Sequence, residues 1–160
     1  GLDAHYLVGG LDAWQAAGDK GAFYDMTRDR LRDALSRPGE SCEPGLSRIL
    51  AIGFDRNGPV FDAIGPGIRL LTEDDRRIVT GTVVDAFPVP NFARSMRVQY
   101  ERMRQFPAPR MFKIRTRVPE GFAASGEVEF LRLALPCGER GVLARTFVIH
   151  RDADRPAYDA

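Results

Sequence analysis

Three runs between Arg110 and Arg151 constrain this chain more than any other stretch. In Arg110–Val118, Phe112, Ile114, Thr116 and Val118 alternate with Lys113, Arg115 and Arg117, the period-two pattern of a strand with one wet face. Glu127–Pro136 and Arg140–His150 carry branched and aromatic residues on both faces, which predicts strands covered on both sides. Pairing Arg117 with Glu127 also sets Arg115 opposite Glu129, and each such pair of opposite charges adds about 0.2–1 kcal/mol. The second connection is Cys137-Gly138-Glu139-Arg140, where Gly138, first in a two-residue loop, suits a type II′ turn. That loop would set Cys137 opposite Arg140, Phe130 opposite Phe147 and Arg132 opposite Arg145. Both arginines would then share the face of Phe130. Directly opposed like charges destabilise a sheet, and a buried guanidinium without a partner is costly. An anion should sit between them: Asp62 or Asp85 from within the chain, or an acidic ligand held bidentately. The alternative is a register shifted so that one arginine meets solvent.

Upstream, Ala22–Arg37 has helical spacing of Phe23, Met26, Leu31, Ala34 and Leu35, with Pro38-Gly39 to stop it. Such a helix can cap the outer face of the sheet over Leu131, Leu133 and Leu135, within one subunit or across a homodimer. Leu46–Phe54 and Pro59–Ile64 flank Asp55-Arg56-Asn57-Gly58, and Asn-Gly between two apolar runs is a strong hairpin signal. The glycines and prolines of residues 64–87 predict short helices and turns, with Thr72 ahead of Glu73, Asp74 and Asp75 starting one of them. Asn91–Phe106 is the clearest helix: Asn91 is a candidate N-cap, Phe92, Met96, Tyr100 and Met103 form its apolar stripe, and Pro107 follows it.

The order of elements predicts an α+β fold with a five-stranded antiparallel sheet in the order 2-1-5-4-3, helices gathered on one face and an N-terminal capping helix. The expected division is an N-terminal extension over residues 1–45, a domain over 46–151 and a flexible tail over 152–160. Net charge is only +1, so no global field draws the chain to nucleic acid or to anionic membrane. Arginine outnumbers lysine 21 to 2, a bias that fits a GC-rich genome or a surface that grips anions bidentately. No apolar run reaches the ~18 residues of a bilayer span, and no signal peptide is visible. Cys42 and Cys137 match neither a metal spacing nor a disulfide framework. Together these predict a cytoplasmic, reduced protein.

Two resemblances add to this reading. Residues 46–150 resemble a PAS domain, specifically a bacterial subgroup with an early I-G-x-x-I-like turn, here Ile64-Gly65-Pro66-Gly67-Ile68. A T-G-x-x-V-like step follows at Thr80-Gly81-Thr82-Val83-Val84, then Phe87, and later Leu133-Ala134-Leu135-Pro136. The resemblance implies a sensory or protein-interaction module in signal transduction, with any ligand held between the sheet and the long helix. In this chain that site would draw on Phe92, Met96, Tyr100, Met103, Phe112, Ile114, Phe130, Arg132, Arg145, Phe147 and Ile149. It also implies a protein partner, often a histidine kinase. Separately, Leu7–Gly18 resembles the closing segment of rhodanese domains, but neither cysteine sits in a rhodanese-like catalytic loop.

Signatures of specific chemistry are few. The flavin-adduct string N-C-R-F-L-Q is absent from the sequence, and the histidines His5 and His150 are not placed on the long helix as haem ligation would need. The cofactor, if there is one, is unknown from sequence, and a noncovalent, colourless one is expected. Gly65-Pro66-Gly67 is no phosphate loop, because Pro66 lacks an amide donor. Asp74-Asp75 reads as a helix start and Glu127 with Glu129 as a solvated strand face. The competing reading is a small α+β enzyme or carrier that uses the same cavity for hydrophobic or acidic metabolites.

Overall fold

The structure, a computed structural model, describes residues 12–37, 45–68, 70–121 and 126–151. The first part of the rhodanese-like string, His5, Cys42 and the tail from 152 lie outside the described residues, as do the side chains of Ile149 and His150.

Five strands form one antiparallel sheet: β1 (Ile49–Asp55), β2 (Gly58–Ile64), β3 (Arg110–Val118), β4 (Gly126–Pro136) and β5 (Val142–Arg151). Their order is β2-β1-β5-β4-β3, as the element sequence predicts. Three helices belong to the fold: α1 (Lys20–Ser36), α2 (Glu73–Val79) and α3 (Pro90–Gln105), with a 3-10 turn at Val84–Ala86. A further short helical segment occupies residues 12–16. Helices α2 and α3 cover the inner face, and α1 lies across the outer face on β2 and β1.

The β3–β4 register follows the charge pattern: Arg117 stands opposite Glu127 and Arg115 opposite Glu129. The ion pairs themselves run diagonally, Lys113 to Glu129 at 3.0 Å and Arg115 to Glu127 at 2.9 Å. Diagonal neighbours are within reach of long side chains. The β1–β2 hairpin turns at Arg56-Asn57, with Gly58 at a φ of 118° and the Asn57 amide donating to Asp55 Oδ1.

The β4–β5 hairpin departs from expectation. Cys137-Gly138-Glu139-Arg140 does form a turn, with Gly138 at a φ of 62°. The ladder closes one residue later, however, where the Cys137 amide donates to Gly141 O at 2.8 Å. Gly141 is an extra residue at a φ of 152°, pressed so close to Ile52 O and the Tyr24 ring that a Cβ there would lie 2.0 Å from the oxygen. A one-residue slip turns every side chain of a strand over. Arg132 therefore pairs with Thr146, not Arg145, and Phe130 with Val148, not Phe147. Arg145 and Phe147 leave the inner face for the outer one, where Arg145 stacks on Phe147 at 5.5 Å and Phe147 packs with Leu133 and Leu135.

Two helix expectations also shift. Pro90 opens α3 at its first position, so Asn91 lies inside the helix and is not its N-cap. Helix α1 buries Tyr24, Thr27 and Leu31, whereas Met26 is 46% exposed. The rotation has a polar cause: the Tyr24 hydroxyl donates to Asp62 Oδ2 at 2.5 Å, and the Thr27 hydroxyl bonds Phe23 O, so both can be buried. Leu133 and Leu135 pack with Phe147, Leu131 and Trp14, whose indole N–H donates to Pro136 O at 2.7 Å.

Candidate functional site

A cavity of about 70 Å³ lies between the inner face of the sheet and α3. Its walls come from local rules. On α3 the four-residue spacing of Phe92 and Met96 places both toward the sheet. From β1, β3, β4 and β5, even-numbered residues point inward: Leu50 in β1, Thr116 and Val118 in β3, Val128, Phe130 and Arg132 in β4, and Thr146 in β5; in β2 a bulge at Asp62 lets both Phe61 and Ile64 face the cavity. Gly67, Ile68, Leu70 and Leu71 line one end. Gly65 and Gly67 tuck this end against the 45–48 turn, their amides donating to Ile49 O and Ser47 O, and neither position has room for a Cβ beside the Ser47 carbonyl. Arg76, itself buried, donates from Nη1 to Pro66 O and Leu71 O and holds it from the other side. The Thr72–Asp75 capping box sets the start of α2 and hence the position of Arg76.

An aromatic row runs through the site: Phe61 to Phe87 at 5.9 Å, Phe87 to Phe92 at 5.3 Å, and Phe92 to Phe130 at 5.9 Å between ring centroids. Arg132 ends the row. Its guanidinium lies 5.4 Å from both the Phe92 and Phe130 rings, and the residue is 2% exposed. Arg132 Nε and Nη1 have no hydrogen-bond partner among the described residues. The buried Thr146 hydroxyl on the adjoining strand is unpartnered as well. Behind the arginine is Tyr100, fully buried, whose phenol is pushed above its ordinary pKa by burial while the Arg132 charge pulls the other way.

Both internal counter-ions proposed for Arg132 are committed elsewhere. Asp62 is on the outer face with Tyr24 and Arg32, and Asp85 pairs with Arg97 at 2.6 Å. Of the described residues lining the cavity, two are arginines, Arg48 and Arg132, and none is acidic. No group of three or more His, Cys, Asp or Glu that could hold a metal ion occurs among the described residues.

Of the residues expected at a ligand site, Phe92, Met96, Phe130 and Arg132 line the cavity together. Tyr100, Met103 and Ile114 belong to the core around it, with Phe112 packed at its margin. Arg145 and Phe147 do not reach it. Sequence reasoning missed Thr146 because it took the hairpin loop one residue too short. Arg48, Phe61, Gly67, Ile68, Leu70 and Leu71 carried no periodic signal toward this site. Thr116 stands on the inward face that the alternation of β3 predicts, though it was not among the residues expected at the site.

The chain matches no known protein family, no curated protein and no solved structure.

Proposed function

We propose that this chain is a PAS-type sensory module. A small ligand occupies the cavity between the sheet and α3, and its presence is passed to a signalling partner such as a histidine kinase, with the module acting as a cytoplasmic homodimer. The observation that carries this reading is the apolar cavity beneath α3 with a buried, unmatched cation at its edge. A well-formed apolar cavity with a few convergent polar groups is the default binding site of a small domain. The sheet order, with a long helix laid on the inner face, is the arrangement the sequence resemblance implies. Helix α3 also supplies a route outward. It lines the cavity with Phe92 and Met96 and presents Val98 (61% exposed) and its C-cap Phe106 (62% exposed) to solvent.

The test joins native mass spectrometry to amide hydrogen exchange on the whole chain, against a panel of small neutral and acidic organic compounds. A sensor retains at least one compound and shows altered exchange along Pro90–Gln105. Retention without any change in α3 leaves a carrier and removes the sensor. No retention of any compound removes a ligand site from this cavity.

A further inference from the structure

The chemistry at one end of the cavity selects the ligand class. We infer that Arg132 and Thr146 form an anion seat, and that the ligand is a short aliphatic carboxylate whose oxygens meet the guanidinium and whose chain enters the apolar cavity. This rests on the cavity being a ligand site.

Three observations converge. First, the Arg132 guanidinium is buried and lacks partners on Nε and Nη1, and the hydroxyl of Thr146 is unpartnered beside it in the ladder. A guanidinium stays charged in a protein, so it cannot relieve its burial by losing a proton. Second, what surrounds it is insufficient: the Tyr100 hydroxyl beside it can accept a hydrogen bond but, kept protonated by burial, brings no charge. Cation–π contacts to Phe92 and Phe130 offset part of its lost hydration, but they satisfy no N–H hydrogen-bond donor. Water can satisfy donors in a polar cavity, yet it brings no opposite charge. A carboxylate supplies both, through charge-assisted hydrogen bonds. Third, apart from Arg48 and Thr116 the rest of the lining is apolar: Leu50, Ile64, Leu71 and Phe87 suit a hydrocarbon chain and offer the outer oxygens of a phosphate no donor.

Size narrows the class further. The volume of about 70 Å³ is near half that of the ~150 Å³ cavity that accepts benzene. An acid with roughly two to four carbons fills such a space; an aromatic acid needs lining side chains such as Ile68 and Leu71 to move.

The experiment uses the whole chain in Tris chloride free of other carboxylates. Calorimetry and thermal melting are followed with acetate, propionate and butyrate at constant ionic strength. The matched amides, acetamide and propionamide, are run beside them, as are sodium chloride and inorganic phosphate. Saturable binding of at least one acid is expected, with the amide of the same chain weaker by about tenfold or more. Arg132→Met should abolish carboxylate binding, Thr146→Val should weaken it several-fold, and Arg145→Leu on the opposite face should leave it intact. In the unaltered protein, bound acid should shift the amide resonances of Thr146 and Phe130, a readout that needs no variant to fold. Amides binding as tightly as acids would overturn the carboxylate seat and leave the ligand cavity standing. Binding of neither overturns both. Phosphate or chloride competing at low concentration, with no preference for the alkyl chain, would reduce the seat to a simple ion site and overturn the ligand class. A folded Arg132→Met variant that keeps its carboxylate affinity would also overturn it.

Discussion

Asp62 occupies the space that a side chain at position 53 would need. A Cβ on Gly53 would lie 2.3 Å from Asp62 Oδ2, inside any tolerable contact. The carboxylate cannot easily retreat, because it accepts from Tyr24 at 2.5 Å and lies 4.0 Å from Arg32. Gly53→Ala is therefore expected to destabilise the fold by about 1–3 kcal/mol, measured as a lower urea midpoint. Asp62→Ala should cost stability on its own by removing a charge-assisted bond of about 1.5–3 kcal/mol. In the double variant the clash is gone, so the two losses should fall short of their sum. Strict additivity would show that position 53 does not feel the carboxylate. None of this is legible in the sequence, where Ile-Gly-Phe in a strand reads only as a weak spot or a bulge. By contrast, the inward residues of β3 and the buried stripe of α3 were readable one by one, because period fixes orientation wherever one face is wet.

At the level of elements, the strands and the long helix followed from pattern, and the errors gathered at their ends. The β4–β5 loop shows why. Its glycine-first turn forms as the residues demand, but ladder closure depends on Gly141, whose conformation is set by a carbonyl of β1 far away in the chain. No local signal reports such a neighbour. The same holds for α1, whose rotation is decided by Asp62 on β2 and not by the ranking of its apolar residues. Gly141→Ala is expected to be among the most damaging single-methyl additions in the chain, because both its φ of 152° and the approach of Ile52 O oppose a Cβ. A loss of about 2 kcal/mol or more is expected, strain and overpacking together, read as the midpoint of chemical unfolding. Gly138→Asn is the control: its φ of 62° is one asparagine tolerates, and nothing lies within 4 Å of its Cβ position. Equal losses at the two positions would show that the close approach to β1 has no influence.

Across the whole molecule, burial of proton donors sets an alkaline limit to stability. The Cys137 thiol is pushed up to about 11 by burial, against the pull of the Leu143 backbone, the Trp14 indole and the Lys20 charge. Tyr24 is raised by burial and by its bond to Asp62, and Tyr100 by burial. Unfolding frees these groups to ionise near their ordinary values of 9.0 for the thiol and 10.0 for the phenols. Above those values the unfolded chain holds fewer protons than the folded one, so rising pH favours unfolding. The contribution of these groups is full below about pH 9 and should fall by about 1.4 kcal/mol per pH unit for each group that ionises in the unfolded chain. Urea midpoints measured from neutral pH to pH 11 would show the decline, and a flat profile would refute the burial of all three. The hairpin bulge carries a consequence at this scale for how such a chain diverges. Deleting one residue between Cys137 and Val142 would not trim a surface loop; it would exchange the two sides of β5. Arg145 and Phe147 would enter the interior, and Thr146 would leave it. Loop length here is thus a selector of cavity chemistry: a lineage could replace a hydroxyl by a second cation in a single deletion, with no substitution at any lining position.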